Sequence, residues 1–235
     1  MNAPPAARAL WPLPLLAGLL PLVATGVAFR LSLQLELIPA CNPFVDGCVS
    51  ISRAARHDLP NILFRALLLP AAVLQAATWM LCPAWLRSIG GAPDRTLKLV
   101  PPLGAAAAVF LVLYGTFLGT EGDGYRWMRR YGVVFYFGFT CICMLAVAGG
   151  MHRLVRRRPH ERWIGRALVG LCLALPLLGL AHVLLPLVLD RPAMKDVLEN
   201  VTEWWGGAIF TAFFFCVAWG WRSTRFGARL DGGTG

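Results

Sequence analysis

The apolar residues of this chain are gathered into runs of roughly 20, separated by short polar segments, and each run is long enough to cross a ~30 Å hydrocarbon core as a helix. Six such runs predict spans near 10–31, 61–85, 97–119, 131–151, 167–189 and 204–221. The first, LWPLPLLAGLLPLVATGVAF, follows Arg8 in the manner of a secretion signal. It is longer than an ordinary signal core and lacks a small-x-small cleavage site, so it reads as a membrane helix. The expected fold is all-α: a polytopic transmembrane bundle of six helices, forming a single membrane domain over residues 1–235. Within it, GTFLG gives Gly115 and Gly119 a spacing that lets helices approach closely. Trp204, Trp205, Trp219 and Trp221 read as interfacial anchors at the two ends of the last span.

Composition agrees with the pattern: 57% of the residues are hydrophobic and only 14% charged, far from the average of a water-soluble domain. Six spans place both termini on one side. The segments on that side hold Arg8, Arg87, Arg95, Lys98, Arg153, Arg156, Arg157, Arg158, Arg162, Arg166, Arg222, Arg225 and Arg229, thirteen cations, against Asp94, Glu161 and Asp231. The opposite side holds nine cations and nine acids. The positive-inside rule therefore makes both termini cytoplasmic. It also accounts for the net charge of +10, whose excess lies in short loops, above all HRLVRRRPHERWIGR, suited to anionic headgroups. No nucleic-acid partner is expected.

The segment CNPFVDGCVSISRAARHDLP becomes the first extracytoplasmic loop. Cys41 and Cys48 enclose Asn-Pro and Asp-Gly pairs that favour turns, and on an oxidising side a disulfide between them is expected. Two independent thiols are the alternative. No metal site is expected, because two cysteines need further soft ligands and no His lies at finger spacing. The other five cysteines sit in or at the ends of apolar runs, as small packing residues do. Polar chemistry gathers on the same side: Ser52, Arg53, His57 and Asp58 in loop one, Arg129 and Arg130 in loop two, Glu199 and Glu203 in loop three. Arg65 and His182 lie inside predicted spans near that side, where an ionisable group faces the bundle interior, a cavity or the headgroups. Nucleotide fingerprints, a P-loop, HExxH and GxSxG are all missing, and no cofactor is expected.

The stretch VSISRAARHDLPNILFR resembles the first lumenal loop of the family containing the DRAM autophagy modulators, the yeast Sfk-type proteins and the Frag-type GPI-anchor lipid-remodelling factor. Ile51 and Ser52 match its P-x-I-S signature, Val49 replaces the first proline, and Pro60 and Phe64 match the continuation. VTEWWGGAIFTAFFF looks like that family's last helix, with Glu203 and Trp204 as its acid-aromatic pair. Loop two departs, with RRYG where members often carry a His. The resemblance implies a six-span protein concerned with membrane lipids. The compact loops and Ala/Arg-rich composition point to a member in a bacterial inner membrane.

Three functions follow as expectations. In the first, a polar cleft under a disulfide-pinned loop one holds membrane lipids with acidic headgroups, through Arg53, Arg65 and Arg130, with Glu203 and Asp58 fixing the arginines. In the second, an intramembrane lipid hydrolase or acyltransferase uses His57 or His182 as base, Ser52 as nucleophile or polar binder, and Asp58 or Glu203 to orient the base. The third is transport of a lipid or small molecule. No protein partner is indicated.

Overall fold

A computed structural model describes residues 8–92, 94–155, 161–188 and 194–228. Six helices long and apolar enough to cross a membrane make up the architecture, as expected: α1 (Pro12–Gln34), α3 (Asp58–Ser88), α4 (Arg95–Phe117), α5 (Asp123–Val155), α6 (Arg162–Val188) and α7 (Met194–Ser223). A one-turn helix, α2 (Ile51–Ala54), lies in the first loop. A two-residue ribbon pairs β1 (Arg8–Ala9) antiparallel with β2 (Gly227–Ala228). The chain is an integral membrane protein with an all-α bundle.

Several helices outrun the hydropathy runs that predict them. The 31 residues of α3 and 33 of α5 reach roughly 46–50 Å at 1.5 Å per residue, well beyond a ~30 Å core. α5 begins at Asp123 rather than near 131, and α7 at Met194 rather than near 204. Hydropathy fades where charged residues enter, but helical spacing does not: Val197, Val201 and Trp204 keep one face of α7 apolar through its polar first turns. At α4 the opposite holds. The helix stops at Phe117, and Gly119, at φ +84°, is a turn residue, so the Gly115/Gly119 pair is no helix-packing stripe.

The long helices form a ring in chain order. α1 packs on α3, α3 on α4, α4 on α5, α5 on α6, α6 on α7, and α7 returns to α1. Aromatic side chains from α3, α5 and α7 fill its centre: Trp79 lies 5.2 Å from Phe214 and 5.9 Å from Phe213, and Phe137 lies 5.0 Å from Phe210, between ring centroids. A buried amide crosses the same region. Gln75 donates from Nε2 to the Ala17 carbonyl (3.2 Å) and accepts from the Tyr136 hydroxyl (3.1 Å), joining α1, α3 and α5 with both ends of its amide engaged.

The β1–β2 ribbon brings the two described ends together on one face of the bundle, the terminal face. There the Leu10 N–H donates to the Phe226 carbonyl (3.1 Å), Arg222 lies 5.3 Å over the Trp11 ring, and Trp85 Nε1 donates to Thr224 Oγ1 (3.0 Å). The expected tryptophan girdle divides. Trp205 (47% exposed) and Trp219 (55%) face outward, whereas Trp204 (6%) and Trp221 (0%) belong to the core. Of the charged residues that set the expected orientation, Arg156, Arg157, Arg158, Asp190, Arg191, Arg229 and Asp231 lie outside the described residues, as does the last residue of the span expected to end at 189.

α6 departs from the ring halfway along its length. Its buried side chains Ile164, Leu168 and Cys172 recur every four residues near the terminal face, beside buried Gly165, and no described residue of α6 beyond Cys172 is buried. Pro176 follows one turn later and has no N–H to offer the Cys172 carbonyl, so the helix loses a hydrogen bond where it leaves its neighbours.

On the terminal face Asp94 caps α4, accepting from the Thr96 N–H (3.0 Å) and Thr96 hydroxyl (2.7 Å), and it pairs with Arg153 of α5. The Thr96 hydrogen bonds first, then the Arg153 charge, hold its carboxyl below the usual aspartate range. A folded-state value below the unfolded one gives stability that is full at neutral pH and is lost as pH falls from about 4 toward the lowered value. Asp94→Ala should therefore cost about 1 kcal/mol at pH 7, typical of a lost cap. Thermal unfolding in detergent at pH 7 and at pH 3 checks this, with the gap to the parent protein narrowing at pH 3.

Candidate functional site

Loop one, on the face opposite the termini, has almost no backbone ladder of its own, so its polar groups must find partners elsewhere. It is closed at one end by the Cys41–Cys48 disulfide, whose Cα atoms lie 6.5 Å apart. Inside the ring, Asn42 makes the turn its type favours: its Oδ1 accepts from the Phe44 N–H (3.1 Å), and the Asn42 N–H donates to Asp46 Oδ2 (2.7 Å). Closing so short a loop contributes roughly 2–2.5 kcal/mol on the chain-entropy scale. α2 follows, capped by Ser50, whose hydroxyl accepts from the Arg53 N–H.

α7 supplies the missing partners. Asn200 Nδ2 donates to the Gly47 carbonyl (2.7 Å), Trp204 Nε1 to that of Val49 (2.9 Å) and Trp205 Nε1 to that of Phe44 (3.1 Å). In return the Ser52 N–H donates to Glu203 Oε1 (3.1 Å). Asn200, Glu203 and Trp204 fall at i, i+3 and i+4, one face of a helix. The Phe44 ring sits edge-on between Trp204 and Trp205, at 5.4 and 5.3 Å. Gly47 makes this approach possible. Its φ is +57°, and a Cβ there would run into the Val197 carbonyl oxygen.

The far end of loop one is tied to the end of α4. Buried Asn61 donates from Nδ2 to the carbonyls of Ala55 (2.9 Å) and Leu118 (3.0 Å). Arg129 of α5 donates from Nη1 to the Phe117 carbonyl (3.1 Å) and to that of Thr120, placing a cation at the negative end of α4. Gly119 lies so close beneath the Arg56 carbonyl that a Cβ would meet it at 2.5 Å.

These ties frame a cavity of about 740 Å³ where α6 has left the ring. Its deeper walls are apolar, with Val133, Val134 and Phe137 from α5, Leu175 and Leu178 from α6 and Phe210 from α7. Its outer end is charged: Arg56 after α2 and Arg126, Arg129 and Arg130 on α5 face Glu199 and Glu203 on α7. Arg126 pairs with Asp123 at 3.5 Å, both largely exposed, and Arg129 is anchored to carbonyls. Among the described residues, Arg56 and Arg130 have neither an ion-pair partner within 4.0 Å nor a side-chain hydrogen bond, and no cation lies within 4.0 Å of Glu203 or Glu199. A polar groove of about 580 Å³ adjoins it, lined by His57 and Glu121 and sharing Arg56, Arg126 and Arg129 with the cavity.

Of the residues singled out in the sequence, Ser52, Arg130 and Glu203 line this cavity together. Arg53 and Arg65 do not line it, Arg65 makes no ion pair with Glu203, and Asp58, exposed at the start of α3, holds no arginine among the described residues. His57 is exposed in the groove, and His182 has an enclosed Nδ1 without a partner among the described residues. Neither histidine hydrogen-bonds to a serine or an acid there. The Ser52 hydroxyl lies 3.1 Å from that of Ser50. Neither candidate histidine is therefore paired with a nucleophile in the way a hydrolase needs, among the described residues. No group of three His, Cys, Asp or Glu that would hold a metal ion occurs among the described residues.

Arg56, Arg126, Tyr114 and Asn61 complete the site without having been singled out in the sequence, and Arg129 and Glu199, noted there only among the polar residues of this side, join them. The α5 cations carried a signal, since 126, 129 and 130 share a helix face once α5 is known to start at Asp123. Comparison with models of known families, with curated proteins and with solved structures finds no match to this chain. The fold and the site define an integral membrane protein with a side cavity that is charged at one end and apolar below.

Gly47→Ala should undock loop one from α7. The left-handed conformation alone costs a non-glycine residue about 1 kcal/mol, and the contact with Val197 adds to it. Lower thermal stability than the parent, with faster proteolytic cleavage between 41 and 60, is the expected outcome, while Gly26→Ala, inside α1 with open space at its Cβ, should neither lower stability nor speed cleavage.

Proposed function

We propose that this protein holds membrane phospholipids by the headgroup, with the phosphate at the arginine end of the side cavity and the acyl chains leaving between α5 and α6. The observation that carries this reading is the cavity itself: cationic at the interface, apolar at membrane depth, and flanked by the half of α6 that buries no described residue. A volume of about 740 Å³ is that of a small-molecule site and takes a headgroup with the first part of its chains. Arg56 and Arg130, without protein partners among the described residues, are available to a phosphate oxygen; guanidinium groups bind such oxygens in a two-pronged fashion.

The face carrying loop one is extracytoplasmic in this reading and the terminal face cytoplasmic. The disulfide and the thirteen-to-nine distribution of cations support that orientation. The resemblance to the DRAM, Sfk-type and Frag-type family supports a role in lipid organisation. The two stretches that carry it meet where the Ser52 N–H donates to Glu203.

Native mass spectrometry of the detergent-purified protein with phosphatidic acid and with diacylglycerol of the same chains tests the proposal. Phosphatidic acid should be retained and diacylglycerol not. Arg56→Gln/Arg130→Gln should weaken phosphatidic acid roughly a hundredfold, about 1.4 kcal/mol for each arginine. Arg65→Gln, outside the cavity, should leave it unchanged. Equal retention of the two lipids, or equal loss in the Arg65 variant, would refute the reading.

A further inference from the structure

The charges at the mouth of the cavity are sorted by wall. Cations come from α5 and from the end of α2, at Arg56, Arg126, Arg129 and Arg130, while both acids come from α7, at Glu199 and Glu203. The two walls do not neutralise each other: no ion pair within 4.0 Å joins them among the described residues. Glu199 and Glu203 stand at i and i+4, where like charges repel, and Glu203 has only Oε1 engaged, by the Ser52 N–H. Lys195, one turn before Glu199, forms no ion pair with it among the described residues.

A phosphate alone would satisfy the arginine wall and bring a further negative charge toward the two carboxylates. A headgroup that ends in a cation satisfies both walls at once. We infer that the cavity selects a zwitterionic phospholipid bearing a primary ammonium beyond the phosphate, an ethanolamine-type headgroup, with the phosphate at Arg56 and Arg130 and the ammonium between Glu199 and Glu203. This rests on the phospholipid reading given above. Three N–H donors on the ammonium match the open lone pairs of two carboxylates, and the pairing is partly desolvated by Phe210 and the α6 wall. The same phosphate and ammonium occur in soluble phosphoethanolamine, which lacks the chains that the apolar walls would take.

Phosphatidylethanolamine and phosphatidylglycerol of identical chains share a phosphodiester and differ in the ammonium, so their competition for the detergent-purified protein in native mass spectrometry isolates the α7 wall. The parent protein should prefer phosphatidylethanolamine about tenfold. Glu199→Gln/Glu203→Gln should abolish or reverse that preference, while phosphatidylglycerol binds at least as well as before. The side-chain amide carbonyl that Glu203→Gln introduces can still accept the Ser52 N–H, and Glu199→Gln alone, at an exposed position, gives a second variant with a smaller loss. Soluble phosphoethanolamine at the same concentration should not displace the lipid. Equal binding of the two lipids by the parent, or a preference that survives in both variants, overturns this inference and leaves the phospholipid reading standing. Retention of neither lipid overturns both. Displacement by soluble phosphoethanolamine at lipid-like concentrations would show a site for a soluble zwitterion instead and overturn both as well.

Discussion

The outer half of this protein depends on four hydrogen bonds between the side chains of one helix and the backbone of one loop. Asn200, Glu203, Trp204 and Trp205 of α7 engage the main chain at Gly47, Ser52, Val49 and Phe44. A loop at the edge of a bilayer has little water to satisfy its amides and carbonyls, and each one left bare costs about 1–3 kcal/mol. The disulfide shortens the loop, but a cross-link alone does not fix where the loop lies. α7 does, because its first turns continue past the membrane and present polar groups on one face. The same turns carry Glu199 to the cavity, so the element that seats the loop also supplies one wall of the site.

The ring is closed tightly at the terminal face and opened at the other. Near the termini, Trp85, Trp221 and Phe226 pack together, the β1–β2 ribbon ties the ends, and α6 buries Ile164, Leu168 and Cys172. Farther out, no described residue of α6 is buried, and the space it vacates is the cavity. An opening of this kind in water would collapse around its apolar walls. In a bilayer, acyl chains can fill an opening of this kind at no hydrophobic cost, so a helix can stand apart from its bundle. Stability and access are thus divided between the two ends of the same helix.

The fold was legible because hydropathy reports what lipid requires: runs of about 20 apolar residues must be helices. The site was legible only in part, and the reason is physical. Ser52, Arg129, Arg130, Glu199 and Glu203 stood out as polar residues near an interface, but both arginines were read as loop, which hid the helix face they share with Arg126, because hydropathy marks the membrane boundary and not the helix boundary. Asn61 gave no signal at all. Its role is to reach two carbonyls, Ala55 and Leu118, whose nearness is created by the fold. Trp204 and Trp221 were misjudged for a related reason: a tryptophan near a helix end faces lipid or core according to the helix's rotation, which composition does not record.

Arg129 shows how the arginines divide their work. Its Nη1 is committed to the carbonyls of Phe117 and Thr120, which neutralise part of its charge and hold α5 against the end of α4. A residue so bound offers a ligand only its remaining N–H groups, and it fixes the height at which its neighbour Arg130 enters the cavity. Arg130, one residue on and free of protein partners among the described residues, is the arginine that the proposed phospholipid site assigns to the phosphate. Three arginines so close along one helix would repel one another were all of them free. Asp123 offsets Arg126 and the α4 carbonyls offset Arg129, so the positive charge left without a protein partner at the mouth of the cavity belongs mainly to Arg130 and Arg56. Binding and scaffolding are thereby separable between neighbouring residues at the start of α5.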